Sequence, residues 1–284
     1  MNEPKRHHSV PEMLQRRFTD ERGMLWFFDN DRPDRGVRDT SPNSLFVRGG
    51  QYTLKNSDGT RDWSLETRYS KLEGFMNLLI EKIVPQVLSG KYPNLSPNER
   101  DLLNLYVYEQ WRRVPELYQR MISDDEFAAM LQEAIDQYEQ KFRALTPEEK
   151  EKFASPAYLK AERQRARVLS LSRTSGTALD VLSAKGLFFA RTARNRSFLL
   201  GSFPVMKLTP IGRSELSDPE VEVWFAIDPN VAIILASNNT LNRVLSISAE
   251  GVRHINRTIA KQSMMFAGRD KALVTSIAKY SAGR

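Results

Sequence analysis

Apolar residues recur along this chain with two different periods, and the change of period divides it. Between Ser64 and Val84, the residues Leu65, Tyr69, Leu72, Met76, Leu79, Ile80 and Ile83 follow three- and four-residue steps. That spacing predicts a helix with one buried stripe, and Glu73 falls on or beside the stripe. Ser96-Pro97-Asn98-Glu99 is a capping box with Pro at the first helical position. It predicts a helix carrying Leu102, Leu103, Tyr106, Gln110 and Trp111, bent or ended by Pro115 near Arg112-Arg113. Ser123 or Asp124 caps another helix through Phe127, Met130, Leu131, Ile135, Tyr138 and Phe142. Thr146-Pro147-Glu148-Glu149 repeats the capping signature and starts a helix or pair of helices running to about Leu182, with Arg163, Arg165 and Arg167 on its exposed side.

After Gly186 the helical spacing gives way to short apolar runs. Leu187–Ala190, Phe198–Leu200, Val205–Leu208, Val221–Phe225 and Val231–Leu235 read as strands, separated by Gly, Pro, Asn and Asp at hairpin-like intervals. Two helices follow, one from about Ala249 to Phe266 and a short one after Asp270.

Residues 1–23 are polar and basic. Pro11 starts a short helix whose buried stripe is Met13, Leu14 and Phe18, with Arg16 and Arg17 nearer solvent and Gly23 as its end. Leu25–Phe28 reads as a buried strand, and Asp29–Gly36 as a turn or loop. Residues 37–62 are short and irregular, with Gly49-Gly50 before Gln51–Leu54 and then Ser57-Asp58-Gly59. The expected architecture is α+β within a single domain, 1–284. A mostly antiparallel sheet from 186–284 is joined by the Leu25–Phe28 strand, and the helices of 64–183 form a lobe inserted between the two.

Composition narrows the function classes only a little. The chain has 284 residues, 40% of them hydrophobic, as in an ordinary globular protein. No stretch approaches the roughly 20 apolar residues of a membrane span, so no membrane partner is expected. The basic N-terminus is not followed by an apolar core and does not read as a secretory signal. Cys is absent, which excludes disulfides and Cys-based zinc sites and makes a reducing cytoplasm the expected home. Lys plus Arg is 42 against 35 for Asp plus Glu, a net charge of +7. That excess permits nucleic-acid binding through phosphate contacts, with a solvated basic surface as the alternative.

His8-Ser9-Val10-Pro11, then Phe18 and Leu25-Trp26, is similar to the opening of a bacterial family whose hallmark is His-Tyr-Val-Pro. That family is known as domain of unknown function forty-two thirty-eight. The resemblance continues through Tyr52-Thr53, Glu66, Leu72-Glu73-Gly74, Arg113, Pro115, the segment Phe198 to Val205, and His254-Ile255-Asn256. It covers nearly the whole chain in order, with short individual motifs. Ser9 stands where the family usually has Tyr. Ser202 and Phe203 stand where relatives tend to carry an Asp ahead of the Pro corresponding to Pro204, so a chemical role of that Asp would be lost or altered here. The resemblance implies no activity.

Four constellations could carry chemistry. His8, with His7, can act as acid or base near neutral pH. Adjacent histidines in an extended segment point apart, so one ion is not shared, and the alternative is a His8 that pins the backbone. No spaced His and carboxylate array supports a metal site, and no cofactor is expected. Glu73 could complement His8 as a cleft carboxylate or serve in an ion pair. Arg113 and Arg17, near Arg112 and Trp111, could hold a phosphate, or could cover core surface with their stems. Asn256 could orient a ligand or cap a buried strand end. Arg191, Arg194 and Arg196 read as a solvated hairpin edge. Phosphate loops, Rossmann fingerprints and Gly-x-Ser-x-Gly are missing.

Two readings follow. The first is a phosphodiester-cleaving nuclease, with His8 as acid or base, Glu73 beside it and Arg17, Arg113 and Asn256 binding substrate. The second is a non-catalytic module that binds nucleic acid, a protein partner or a second copy of itself. The place of His8 in the hallmark motif puts the nuclease reading first.

Overall fold

The structure, a computed structural model, describes residues 6–55, 60–209, 215–237 and 243–282. The turn expected at Ser57-Asp58-Gly59 lies outside them. The chain opens with β1 (Arg6–His8), α1 (Glu12–Arg17), β2 (Leu25–Asp29), β3 (Arg38–Thr40), β4 (Val47–Gly49), β5 (Leu54–Lys55) and β6 (Arg61–Asp62). Helices follow: α2 (Ser64–Leu88), α3 (Pro97–Arg112), α4 (Pro115–Met121), α5 (Asp124–Lys141), α6 (Pro147–Ala154), α7 (Pro156–Ser172) and α8 (Gly176–Ala184). The remainder is β7 (Gly186–Arg191), β8 (Leu200–Gly201), β9 (Val205–Leu208), β10 (Glu222–Asp228), β11 (Val231–Ala236), β12 (Arg243–Ser246), α9 (Ala249–Gln262), β13 (Met265–Gly268) and α10 (Lys271–Ala282). The class is α+β.

Two sheets share the core, where one was expected. The larger runs β12-β7-β11-β10-β9, antiparallel except for the β12–β7 pair. Its central strand β11 is buried at every position, as an unbroken Val-Ala-Ile-Ile-Leu-Ala run requires. The smaller runs β3-β2-β13-β8. The Leu25–Phe28 strand therefore joins C-terminal strands but not the large sheet: Phe28 lies opposite Phe266 and Phe27 opposite Ala267. The second correction follows from the first. The final long helix stops at Gln262 instead of Phe266, because Ser263 turns extended and Met265–Gly268 pairs with β2 and β8. Gly201 is required on β8, since a Cβ there would meet the Ser263 hydroxyl at 2.2 Å.

The helical stretch of 64–183 divides by burial. α2 buries Leu72, Met76, Ile80 and Ile83 with the sheets, and α3 buries Leu103, Tyr106 and Val107 in the same core. A smaller cluster joins Tyr52, Leu65 and Tyr69 to Val168 and Leu171 of α7. α5 and α6 bury no residue. The expectation that Arg167 faces solvent is corrected: it is buried, and its guanidinium donates to the backbone carbonyls of Gln51 and Arg113. α1 ends at Arg17 instead of Gly23, and Gly23 occupies a following turn at φ +75°. None of the described helices is long and apolar enough to cross a membrane.

Candidate functional site

The N-terminal segment lies along one polar row of α2. Glu66, Glu73, Asn77 and Glu81 are spaced seven, four and four apart, which puts them on one helix face. His7 Nδ1 meets Glu66 Oε2 at 2.8 Å, and Arg17 donates to Asn77 Oδ1 at 3.0 Å with Glu81 at 3.7 Å. Between them, Arg113 Nη1 donates to Glu73 Oε1 at 2.7 Å. Its Nη2 donates to the His8 carbonyl at 2.5 Å, and its Nε donates to the Tyr52 hydroxyl at 3.2 Å. The guanidinium also lies over the rings of Tyr69 and Tyr52. Burial opposes its charge, yet Tyr52, Glu73 and Tyr69 outweigh that and hold it protonated beyond its usual range.

Pairing of β1 with β4 sets the two histidines on opposite sides. His7 is fully buried, edge-on to Tyr52. His8 is half-buried and faces elsewhere. Burial pushes its pKa below the ordinary 6.5; Glu12, the Asn43 backbone and Glu73 oppose this, and Arg113 adds to it. His8 Nε2 is buried and has no partner among the described residues. The Asn43 backbone acts on the ring, and Nε2 is the ring nitrogen without a partner among the described residues.

Ser9 secures the next turn. Its N–H and hydroxyl both donate to the Phe46 carbonyl, at 2.9 and 3.2 Å, and Gln15 donates to the carbonyls of Val10 and Leu45. Phe46 sits at φ +55°, a left-handed conformation that costs a non-glycine residue roughly 1–2 kcal/mol. These bonds offset that strain and hold β4 against β1.

Other polar groups gather behind this segment. Tyr106 and Gln110, one helical turn apart on α3, are fully buried, and the Tyr106 hydroxyl and both Gln110 amide atoms are without partners among the described residues. Burial raises the Tyr106 hydroxyl well above its ordinary pKa, with Glu73 adding to the rise and Arg113 and Arg17 countering it. Each buried group left without a partner costs about 1–3 kcal/mol. Asp228, at the end of β10, is pushed up by burial and countered by the Asn230 backbone, Arg17 and Arg269.

The structure brings His8, Glu73 and Arg113 together and sets Arg17 on the same α2 face. It leaves Asn256 apart. That residue is fully buried in α9, its Oδ1 accepting from Leu199 N at 2.9 Å and its Nδ2 donating to Ser197 O at 2.9 Å. Its amide caps a stretch before β8, and its burial closes it to a substrate. Arg113 is likewise buried, with three of its N–H groups on protein acceptors, so it positions His8 and Glu73 and does not reach outward. Ser202 accepts from the N–H groups of Met264 and Met265, which stitches β13 in place. Among the described residues no cluster of three His, Asp or Glu side chains could hold a metal ion.

Chemically, the arrangement offers an imidazole whose pKa burial lowers, within the electrostatic reach of a carboxylate that a buried guanidinium fixes. Glu12, Tyr106, Gln110 and Asp228 escape a reading of the sequence. Tyr106 and Gln110 sit on an apolar stripe and read as core, and Asp228 in Asp228-Pro229-Asn230 reads as a turn residue. The one usable signal was the four-residue step from Tyr106 to Gln110, with Arg113 three further on.

The model of a family described as "Protein of unknown function (DUF4238)" matches residues 6–270. No curated protein matches the chain. No solved structure matches it either.

Proposed function

From a chain that belongs to the DUF4238 family of proteins of unknown function no activity carries over, and we propose one from its own residues: hydrolysis of a phosphodiester, with His8 as general base. The observation that carries this reading is the His8 ring itself. Its Nε2 is buried without a partner among the described residues, burial holds its pKa below 6.5, and so it is an unprotonated base at neutral pH. Glu73, locked by Arg113, supports the imidazolium that forms when His8 takes a proton from water. The excess of 42 basic over 35 acidic residues supports an anionic substrate. A non-catalytic binding module is favoured by one observation, the burial of Arg113 on three protein acceptors, which removes a ready phosphate clamp from the site.

The test pairs wild type with His8→Ala on mixed RNA and DNA, with and without divalent metal. Cleavage by the wild type is expected, lost in the variant. The melting temperature should stay within roughly 3 °C, since a change of about 1 kcal/mol moves it no further in a chain of this size. The pH profile should rise through a midpoint below 6.5 and then level. Absence of cleavage, or a variant that cleaves as well as the wild type, removes His8 from the role.

A further inference from the structure

Arg113 faces two places. Its guanidinium holds His8 and Glu73, whereas its backbone carbonyl accepts from Gln51 Nε2 at 3.3 Å and from Arg167 Nη2 at 2.7 Å. Gln51 and Arg167 both line a cleft of about 820 Å³ bounded by β4, α7 and the starts of α4 and α5. That volume lies within the range of small-molecule sites, about 300–1,000 Å³.

The lining is cationic. Among the described lining residues, Arg48, Lys160, Arg163 and Arg167 face one carboxylate, Asp124, which pairs with Arg163. Lys160 is exposed and has no ion-pair partner among the described residues. Two aromatic rings, Tyr118 and Phe127, belong to the same wall, and Arg163 lies over Tyr118. Gln51 supplies an independent observation. Its residue is 3% exposed, its Nε2 is turned to the Arg113 carbonyl, and its Oε1 has no partner among the described residues. A buried acceptor in that state asks for a donor from whatever fills the cleft.

We infer that this cleft binds a nucleotide unit: phosphate on Lys160 and Arg48, base against Phe127 or Tyr118, and a base amino group donating to Gln51 Oε1. Glutamine reads an exocyclic amino group this way, and aromatic faces stack any base. A lone phosphate would leave both the rings and the Gln51 acceptor unused. The inference shares its substrate class with the phosphodiester reading, but its evidence is the cleft and it stands without His8.

The experiment titrates wild type, Lys160→Glu, Phe127→Ala and His8→Ala with adenosine 5′-monophosphate and with a ten-residue oligodeoxyadenylate, at low salt in EDTA. Inorganic phosphate serves as competitor, and the melting temperature of each variant is measured. Wild type is expected to bind the oligomer in a salt-dependent way. Lys160→Glu should weaken it about tenfold and lower the log–log salt slope by roughly 0.7, as the loss of one single-strand phosphate contact does. Phe127→Ala should weaken it on the order of fivefold to a hundredfold, the range for one stacked base. Both variants should melt as the wild type does, and His8→Ala should bind unchanged. Oligomer binding tighter than monophosphate binding identifies a strand as the ligand; equal affinity identifies a free nucleotide. The inference falls if wild type binds neither probe, or if phosphate competes as well as the nucleotide. It also falls if His8→Ala loses binding while the cleft variants keep it. Cleavage measured separately judges His8, so the two readings can fail independently.

Discussion

α3 and α5 begin alike and end in different surroundings. Each opens with a complete capping box, Ser96 with Glu99 and Ser123 with Glu126, and each carries an apolar stripe. α3 buries Leu103, Tyr106 and Val107 and also the polar Asn104, Glu109 and Gln110. α5 buries nothing, and Met130 is 58% exposed on it, with Phe142 just beyond its end at 74%. A cap decides where a helix starts; it says nothing about whether a neighbour covers the stripe that follows. Polar residues buried on α3 and apolar residues exposed beyond it both run against composition, and both mark places where burial is decided by distant segments.

The sharpest way to break this comparison is Arg113→Met. It should lower stability by about 3–5 kcal/mol in urea unfolding, because it leaves Glu73 and the Tyr52 hydroxyl without their buried partner. A loss below 1 kcal/mol would show that the buried polar cluster just beyond the end of α3 is dispensable. Next, Leu103→Ala on α3 should cost about 2–5 kcal/mol, whereas Met130→Ala on α5 should stay within roughly 0.5 kcal/mol by the same measurement. Equal costs would mean that α5 has a covering partner in solution.

The smallest effect is on pH dependence. His8 has a lowered native pKa and an unfolded value near 6.5. Between those two values the unfolded chain holds more of the proton, so stability falls as pH drops through that window and is fully present above 6.5. His8→Ala should flatten that part of the stability–pH curve, while Met130→Ala should leave it unchanged. A slope that survives in His8→Ala would assign the titration to another group.

Much of the framework was legible in the sequence because it rests on local periodicity. The stripes of α2 and α3 and the apolar runs of β7, β10 and β11 lie where their spacing puts them. So does the opposition of His7 and His8. β13 was not legible, since Met265–Gly268 extends the apolar pattern of α9 and becomes a strand only by pairing with β2 and β8. Arg167 read as a solvent residue because nothing within α7 announces the carbonyls of Gln51 and Arg113 that it meets. The site was half legible. His8, Glu73, Arg17 and Arg113 could be singled out by type, but the guanidinium that ties His8, Tyr52 and Glu73 joins segments up to 105 positions apart.

The pairing of β2 with β13 has a consequence in time. One edge of residues 25–29 pairs with nearby β3, but the other finds its partner only at 265–268. At synthesis rates of roughly 5–20 residues per second, the Leu25–Phe28 run emerges about ten to fifty seconds before the strand that completes it. During that interval no β13 exists to pair with β2, and the smaller sheet cannot close from the N-terminal side.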